Sequence, residues 1–401
     1  MEKFDYKRLS LHSSRDYSIS RSSKNILLLW QSMLVDTIII CGSRGYPAQY
    51  GGFETLAQEV AESLGQRGFS TIVTGFSSEL NSSVEISEKN SKGVTSVNVR
   101  FTGWFRLANM FSTIKATRIA LKKSKVQGAI VLNDVNFLTA LYLQKKLKLP
   151  VVIHLDGDES IRRGIPLPGK LLHKAMRWLS LEFIEKIVVD SRVLLEDIEI
   201  RHQSKVAVIK YGATNIFDDR EAINNFESEL PERFFLNIAR LVPENNVAEI
   251  MQAYLASKRQ IPLVVIGKGT GIEKYENELQ ELVRISQGKI FLLNAEYNPR
   301  IIISLIDRCS LYIHGHEAGG TNPILVTARK YAPRLASHEN RFNLEDSRID
   351  EIFWSTPFQL TQIMDSHSIL LSKENLPIMN VHSVESWEEI SGKYYDLLFL
   401  D

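Results

Sequence analysis

The sequence predicts an α/β protein with two doubly wound parallel sheets in tandem. From Met33 onward, short apolar runs rich in β-branched residues alternate with longer segments of helical period, a pattern typical of parallel strands joined by crossover helices. The alternation is interrupted once, by a polar and acidic segment, and then restarts. The chain has 401 residues, of which 44% are hydrophobic, so it is long enough to bury two separate cores.

Seven short apolar runs are the predicted strands of the first domain. They are Thr37–Cys41, Ser70–Thr74, Val97–Phe101, Ala129–Leu132, Val151–His154, Lys186–Val189 and Val206–Ile209. Between the first two, apolar residues fall on one face of a helix that starts near Phe53 and ends at Gly65 or Gly68. This order of strand, helix and strand predicts the first crossover of a parallel sheet.

The second series follows Asp218–Glu232, a polar and acidic segment that we interpret as a linker. Its predicted strands are Phe234–Ile238, Leu263–Ile266, Lys289–Leu293 and Leu311–His314, and its predicted helices lie near Val247–Ser257, Glu273–Ser286 and Arg300–Asp307. Amphipathic helices are also predicted at Trp354–Met364 and Val384–Phe399. The predicted organisation is therefore an extension at 1–32, a first domain at 33–215, a linker at 216–232, a second domain at 233–375 and a terminal helix at 376–401.

The composition disfavours several classes of protein. Lys and Arg total 48 against 47 Asp and Glu, so the chain carries no overall charge that would favour binding to nucleic acid. It has only two cysteines, Cys41 and Cys309, which disfavours a disulfide framework and favours a reducing, cytoplasmic location. No apolar run reaches the roughly 20 residues of a membrane-spanning helix. We expect residues 1–32 to lie outside the fold, as an extension or a misassigned start, and a membrane-surface segment is the competing interpretation.

A glycine-containing loop joins the first predicted strand to the first predicted helix. From Gly42 to Phe53 it reads Gly-Ser-Arg-Gly-Tyr-Pro-Ala-Gln-Tyr-Gly-Gly-Phe. The loop lacks the Gly-x-Gly-x-x-Gly spacing of dinucleotide-binding folds and the Gly-Lys-Ser/Thr of P-loops, which disfavours both classes. Because Gly51 and Gly52 stand where a helix starts, and helix N-termini attract anions, they suit a diphosphate. The alternative is that these glycines serve only the turn.

A second loop of this kind follows the predicted strand Leu311–His314. From His314 to Pro323 it reads His-Gly-His-Glu-Ala-Gly-Gly-Thr-Asn-Pro, and a helix-permissive segment comes directly after it. Paired glycines allow backbone N–H groups to approach a ligand, and Thr321 or Asn322 can cap the helix. The pattern predicts a phosphate site, and an ordinary strand-to-helix turn is the alternative.

Charged side chains follow two other predicted strands. Asp156, Glu159 and Arg162 come soon after Val151–His154, where a carboxylate could act as a base and an arginine could bind a phosphate or a sugar acid. A solvated acidic turn is the alternative interpretation. Arg240 follows the first strand of the second series, where a cation can neutralise a leaving diphosphate, although a lone arginine is more often a surface residue.

Five segments together resemble bacterial family-four retaining glycosyltransferases. They are Gly42–Thr55, Asp190–Ser191, Tyr211–Ala213, Ala239–Asn246 and His314–Pro323. Within that family the chain is most similar to rhamnosyltransferase-like enzymes of surface-polysaccharide assembly. The resemblance extends over about Met33 to Glu345.

The resemblance implies a GT-B fold, in which two Rossmann-like domains face a cleft and the terminal helix crosses back onto the first domain. It implies that a nucleoside-diphosphate sugar binds mainly to the second domain and a saccharide acceptor, lipid-linked in such pathways, mainly to the first. It implies a reaction without a metal or other cofactor, in which the acceptor attacks from the front face and the diphosphate helps to take its proton. A peripheral contact with the inner face of the membrane is compatible with such an acceptor.

The resemblance also implies roles for individual residues. Asp156 would be catalytic, where the sugar and the acceptor meet. The residues implied for the donor and its phosphates are Gly51, Gly52, Arg240, His316, Gly319, Gly320, Thr321, Asn322 and Thr327. The residues implied for the acceptor side are Tyr50, Glu54, Glu159 and Arg162.

The chain departs from the family pattern at Thr327, where related enzymes usually carry a glutamate that binds the nucleotide ribose. The loss of such a hydrogen bond costs about 1 to 3 kcal/mol. Ser160 and Ile161 also stand where the family tends to have an aromatic residue and a lysine. Two other interpretations therefore stay open: an impaired relative that binds a saccharide or a partner protein, and a sugar-nucleotide epimerase on the same two-domain fold. A dehydrogenase is the least favoured, because the dinucleotide fingerprint is missing.

Overall fold

The computed structural model describes residues 36–48, 51–77, 80, 82–101, 105–155, 157, 166–214, 230–269, 271–317, 320–366 and 384–400. From Thr37 onward they belong to a single compact unit that contains two separate sheets. The predicted extension at 1–32 lies outside the described residues.

In the described part of the chain, the first sheet has eight strands and is parallel except at one edge. They are β1 (Thr37–Cys41), β2 (Ser70–Ser77), β3 (Val84–Ile86), β4 (Val94–Arg100), β5 (Val126–Leu132), β6 (Val151–His154), β7 (Lys186–Val189) and β8 (Val206–Val208), in the spatial order β3-β4-β2-β1-β5-β6-β7-β8. All seven runs predicted for this domain are strands, whereas the antiparallel edge strand β3 was missed because its three residues are too few to show a period.

Helices cover the two faces of the first sheet. They are α1 (Gly52–Gln66), α2 (Phe105–Lys123), α3 (Phe137–Leu141), α4 (Leu167–Phe183), α5 (Arg192–Glu196) and α6 (Ile200–Gln203). The predicted apolar face of α1 is buried, and it packs against Ile38, Ile40 and Val73 of the central strands. Gly42 ends β1 with φ +95°, and a side chain there would meet the carbonyl oxygen of Leu132 at 2.3 Å, so only glycine lets the loop leave the sheet here.

Six of the described strands form the second sheet, and every pair among them is parallel. They are β9 (Phe235–Ile238), β10 (Leu263–Ile266), β11 (Ile290–Leu293), β12 (Leu311–His314), β13 (Leu335–His338) and β14 (Ile352–Trp354), in the spatial order β11-β10-β9-β12-β13-β14. Its helices are α7 (Val247–Ala256), α8 (Glu273–Ile285), α9 (Pro299–Arg308), α10 (Pro323–Tyr331), α11 (Arg341–Leu344) and α12 (Pro357–Asp365). From β9 the chain adds β10 and β11 on one side, and it then returns to add β12, β13 and β14 on the other side, as in doubly wound folds.

The prediction of a helix from Trp354 was wrong at its start. Trp354 is the last residue of β14 and is buried, and the helix begins three residues later, at Pro357. Pro357 occupies the first turn, where its missing N–H costs nothing, and the Thr356 side chain caps the helix by accepting from the N–H of Gln359.

The terminal helix, α13 (Trp387–Phe399), packs on the first sheet rather than the second. The Tyr394 hydroxyl is 2.6 Å from Nδ1 of His154 on β6, and the hydroxyls of Ser391 and Ser63 are 2.8 Å apart. Ile390, Tyr394 and two further apolar side chains of α13 join the core formed by α1 and the central strands. Among the described residues, no helix is both long enough and apolar enough to cross a bilayer.

Candidate functional site

A cleft of about 370 Å³ lies between the carboxyl ends of the two sheets. Its walls come from the loops after β1 and β5 in the first sheet and after β9, β10 and β12 in the second. These loops include both points at which the strand order reverses, where doubly wound folds bind ligands. The volume falls within the range of pockets that hold small molecules.

On the first-sheet side, the N-terminus of α1 opens onto the cleft. Gly51 is its N-cap, and residues 51–55 all line the cavity. A side chain at Gly52 would be only 3.4 Å from Pro323 and from the Tyr211 hydroxyl, so the two glycine loops lie side by side. The backbone N–H groups of the first turn of a helix have no partner within it, and they attract anions.

Glu54, implied for the acceptor side, holds the loop after β1. Its Oε1 accepts a hydrogen bond from the backbone N–H of Arg44 at 3.0 Å, and its side chain is buried although it lines the cleft. Gln58 supports the same loop, since its side-chain oxygen accepts from the N–H of Ala48 at 2.8 Å. Glu54 therefore has a structural function that the sequence did not reveal.

On the second-sheet side, asparagines hold the loop that contains His316. Nδ1 of His316 is 2.8 Å from Oδ1 of Asn245, which orients the ring in the wall of the cleft. The His316 carbonyl accepts hydrogen bonds from the side chains of Asn340 and Asn343 at 2.9 and 2.8 Å. The Asn246 side chain donates to the Gly315 carbonyl at 2.8 Å. These hydrogen bonds hold Gly315 and His316 in place.

Asp190, which follows β7 of the first sheet, binds the same loop from across the cleft. Its Oδ2 accepts from the backbone N–H of Thr321, and its carbonyl accepts from the Thr321 hydroxyl, both at 3.1 Å. A side chain at Gly320 would lie 2.5 Å from this carboxylate, so the second glycine of the pair is required by the close approach of Asp190. The resemblance included Asp190, but this contact between the sheets was missed.

Asn322, one of the two residues predicted to cap this helix, is the N-cap of α10. Its side-chain oxygen accepts from the N–H of Ile324 at 3.2 Å. Thr327, one turn into α10, donates its hydroxyl to the carbonyl of Pro323 at 3.0 Å. Thr327 is not one of the described residues that line the cleft, but Pro323, to which its hydroxyl is bonded, is one of them.

The charged side chains described in the cleft wall are three cations and two carboxylates. Arg44, Arg240 and Lys268 contribute positive charge, and Glu54 and Glu296 contribute negative charge. The backbone at Arg240 is fixed because its carbonyl accepts from the Asn245 side chain at 2.8 Å. Lys268, which follows β10, was missed because a lysine near a strand end has no distinguishing sequence context. Arg240 and Lys268 give the second-sheet side a positive charge that suits an anionic ligand.

A histidine and an aspartate that the sequence did not single out meet on the first-sheet side. Nδ1 of His173, on α4, is 2.8 Å from Oδ1 of Asp134, in the loop after β5, and both side chains are buried. His173 lines the cleft. The two residues are 39 positions apart in the chain, so no local motif contains both.

Another buried histidine lies beneath the second-sheet loop. His314, the last residue of β12, is fully enclosed, and burial, with help from Arg329 and His338, lowers its pKa to about 3. Arg329 is itself held by a buried ion pair with Glu351 at 3.0 Å and by a hydrogen bond to the Glu345 carbonyl at 3.0 Å. His314 is therefore neutral and serves the fold.

Several residues implied as functional lie outside the described part of the chain. They are Tyr50, Asp156, Glu159, Arg162 and Gly319. In the part that is described, no group of three or more His, Cys, Asp or Glu side chains is arranged to hold a metal ion.

Residues 35–214 match the model of a family described as a domain of unknown function, DUF1972. No curated protein sequence matches the chain. Among solved structures, the chain is similar to sucrose-phosphate synthase from Thermosynechococcus elongatus, with 11% identity and a TM-score of 0.69 over 91% of this chain and 99% of that one.

Two further solved structures are also similar to the chain. A glycosyltransferase from Rickettsia africae is 12% identical, with a TM-score of 0.65 over 91% of this chain and 98% of its own. HepE from Anabaena, in complex with UDP and glucose, is 11% identical, with a TM-score of 0.65 over 91% of this chain and 99% of its own. These similarities show that the chain has the GT-B fold, with two Rossmann-like parallel-sheet domains that face a cleft.

Proposed function

We propose that the chain is a retaining glycosyltransferase that moves a hexose or deoxyhexose from a nucleoside-diphosphate sugar to a saccharide acceptor. From the sequence resemblance, we also propose that the acceptor is lipid-linked and that the enzyme acts in polysaccharide synthesis, as rhamnosyltransferase-like enzymes do. The observation that carries it is the meeting of the two glycine loops, at Gly52 and Pro323, in a cleft lined by Arg240 and Lys268. Two helix N-termini and two cations suit a diphosphate that links a sugar to a nucleoside.

The two walls of the cleft would have different roles in the reaction. Arg240 and Lys268 belong to the second sheet, where they would hold the diphosphate and stabilise its charge as it leaves. The acceptor hydroxyl forms its bond to the anomeric carbon on the face from which the diphosphate departs. The diphosphate takes the electron pair of the broken bond and, by the family resemblance, helps to take the hydroxyl proton. Asp156 would assist where the two sugars meet.

A nucleotide-binding assay tests the proposal. UDP is the first probe, because it is bound in a structure of similar fold, and GDP and dTDP follow. A ligand at 100 times its Kd stabilises the native state by about 2.7 kcal/mol, so we expect a clear rise in Tm with one of the three. Arg240→Met should weaken that affinity by about tenfold, given one lost charge-assisted hydrogen bond. Lys289→Met, an exposed change outside the cleft wall, is the matched control. No rise in Tm with any of the three would contradict the proposal.

The second candidate is a catalytically impaired relative that binds a saccharide or a partner protein. The position of Thr327 favours it, because this hydroxyl is bonded to Pro323 and is not among the described residues of the cleft wall. Thr327→Glu separates the two functions. A large gain in nucleotide affinity would support an impaired site, whereas a loss would support a site adapted to the threonine.

We propose in addition that the outer face of α4 contacts the inner face of the cytoplasmic membrane. Leu167, Leu171 and Trp178 are more than half exposed, at 69%, 57% and 53%. Their spacing of four and seven residues places all three on one face of the helix. Lys170 and Lys174 lie beside them in the sequence and would attract anionic headgroups. Such a contact would bring a lipid-linked acceptor close to the cleft, since His173 of the same helix lines it.

A further inference from the structure

Asn133 has an unusual backbone conformation in the wall of the cleft. It is the residue directly after β5, with φ 71° and ψ 135°, and this ψ is far from the left-handed helical values that asparagine tolerates. Glycine is the residue that adopts such a conformation without strain. The backbone N–H of Asn133 donates to the carbonyl of His154 on β6 at 2.9 Å, which holds the residue in place. Strain that is held in this way is a reason to look for a function.

The side chain of Asn133 uses only one end of its amide in the turn. Its oxygen, Oδ1, accepts a hydrogen bond from the backbone N–H of Val135 at 3.1 Å. Because a backbone N–H can only donate, the atom at this contact is the amide oxygen, and the nitrogen, Nδ2, is at the opposite end. Nδ2 has no hydrogen-bond partner among the described residues, and it is not one of their enclosed polar atoms. Since Asn133 lines the cleft, its two N–H donors are open to a ligand there.

Asn109, on α2, brings a second amide to the first-sheet side of the cleft. The helix packs against the turn Asp134–Asn136, and Asn109 lines the cleft as Asn133 does. The Asn109 oxygen, Oδ1, accepts from the Thr113 hydroxyl at 3.3 Å, so the amide nitrogen is again the end left for a ligand. The first-sheet side therefore carries two neutral groups that donate hydrogen bonds.

The two sides of the cleft differ in charge. Arg240 and Lys268, with Glu296, leave the second-sheet side positive, whereas Arg44 and Glu54 balance each other on the first-sheet side. A diphosphate is bound best by the cationic side. Neutral N–H donors suit the uncharged oxygens of a saccharide, whose polar groups are mostly hydroxyls. The two amides therefore fit the acceptor better than they fit the diphosphate of the donor.

We propose that Asn133 is an acceptor-binding residue, whose Nδ2 donates a hydrogen bond to an oxygen of the acceptor saccharide. The inference rests on the proposed glycosyl transfer and names the part of the cleft that recognises the acceptor. The strained conformation of Asn133 is retained because it presents this amide to the cleft.

NMR of the side-chain amides tests the contact directly. In nitrogen-15 spectra, the two N–H signals of Asn133 are identified by their loss in Asn133→Asp. The octyl glycosides of glucose, galactose, N-acetylglucosamine and rhamnose are then added to protein saturated with whichever of UDP, GDP and dTDP binds it. At least one glycoside should shift these signals. The amide of Asn298, which caps α9 through its own Oδ1 outside the described cleft wall, should not respond. No shift of the Asn133 signals with any of the four, or an equal shift at Asn298, would overturn the proposal.

Two substitutions at Asn133 separate binding from structure. Asn133→Asp keeps an oxygen for the N–H of Val135 but loses both donors, and Asn133→Gly removes the side chain without adding charge and suits the positive φ. We expect both variants to bind the shifting glycoside about tenfold more weakly, as for one lost hydrogen bond. The Gly variant should keep the wild-type affinity for the nucleotide. Asn298→Asp, which keeps the same kind of cap, is the matched control and should bind the glycoside like wild type.

Wild-type glycoside affinity in Asn133→Gly would overturn the proposal. An equal loss of nucleotide affinity in this variant would also overturn it, because the amide would then contact the donor. The strain has its own measurement. Asn133→Ala removes the same amide but keeps the Cβ atom, so the Gly variant should have the higher Tm of the two. A Tm of the Ala variant as high as that of the Gly variant would contradict the strain at this position.

The nucleotide measurement distinguishes the two levels of inference. If UDP, GDP and dTDP all fail to bind wild type, the proposed function fails first. If a nucleotide binds and the glycosides leave the Asn133 amide unaffected, only the assignment of Asn133 fails.

Discussion

The backbone N–H of Thr321 donates to the carboxylate of Asp190 at 3.1 Å, which joins the glycine loop of the second sheet to the end of a first-sheet strand. The two residues are 131 positions apart in the chain. A loop that would cradle a ligand is thus held from the opposite side of the cleft, and its shape depends on the distance between the two sheets.

Gly320→Ala should disturb this contact. The added methyl group would lie 2.5 Å from the Asp190 carboxylate, so either the loop or the strand end must move. We expect the change to cost about 1 to 3 kcal/mol of unfolding free energy, as overpacking usually does, and to weaken nucleotide binding. Urea unfolding and nucleotide titration measure the two effects. Gly392→Ala is the control: it lies in α13, it meets only the flexible end of the Arg67 side chain, and alanine favours the helix. Equal effects of the two changes would contradict this account.

Glu351→Gln should strongly destabilise the second domain. The Glu351 side chain is fully buried, and its Oε2 lies 3.0 Å from Nε of Arg329. The substitution removes the negative charge and leaves the guanidinium without its counter-ion. Breaking a buried pair at one partner typically costs about 3 to 5 kcal/mol. Chemical denaturation should report a loss of this size. Glu281→Gln, which breaks the exposed pair with Arg284, is the control and should leave stability within error of wild type. A Glu351→Gln protein as stable as wild type would show that the pair contributes little.

The buried His314 predicts a loss of stability in acid. Its pKa is lowered to about 3 in the fold, against about 6.5 in an unfolded chain. Between these values the unfolded state binds a proton that the folded state excludes, so unfolding becomes easier as the pH falls from about 6.5 towards 3. The slope approaches about 1.4 kcal/mol per pH unit. Wild type should therefore lose stability relative to His314→Gln over this window, as measured by denaturation at pH 7, 6, 5 and 4. Parallel curves for the two proteins would exclude His314 as the source.

We expect the outer face of α4 to bind anionic vesicles. Leu171→Glu places a negative charge within the exposed apolar stripe, and it should lower sedimentation with vesicles that contain one-third phosphatidylglycerol, by about tenfold in partition coefficient. Phe358→Ser removes an aromatic side chain of α12 that is more exposed than Leu171, at 71%, and should have no effect. Equal losses from both variants would point to nonspecific adsorption instead.

The fold could be predicted from the sequence where burial imposes a pattern of apolar residues. The central strands are enclosed on both faces, so runs such as Thr37–Cys41 and Leu263–Ile266 are continuous apolar segments with sharp ends. Edge strands carry no such constraint, which is why β3 was missed. Leu335–His338 was also missed, because its Ser337 and His338 are polar even though the strand pairs on both sides.

The candidate site could be predicted only where its residues are close together in the sequence. Gly51, Gly52, Gly320 and Asn322 stand beside helix starts, and their chemistry follows from the adjacent residues. The pairing of His173 with Asp134 depends on tertiary packing, and no local spacing predicts it. Lys268 likewise lines the cleft only because β10 lies beside β9.

The position of α13 has a consequence for how the protein is made. The chain begins the first sheet at β1, completes the second sheet, and only then supplies Tyr394 and Leu398 to the first core. On the ribosome, α1 and the central strands therefore keep an apolar surface uncovered while more than 300 further residues are synthesised. The first domain is therefore closed only after the second sheet has been synthesised, so a chain that stops before Trp387 leaves this core exposed.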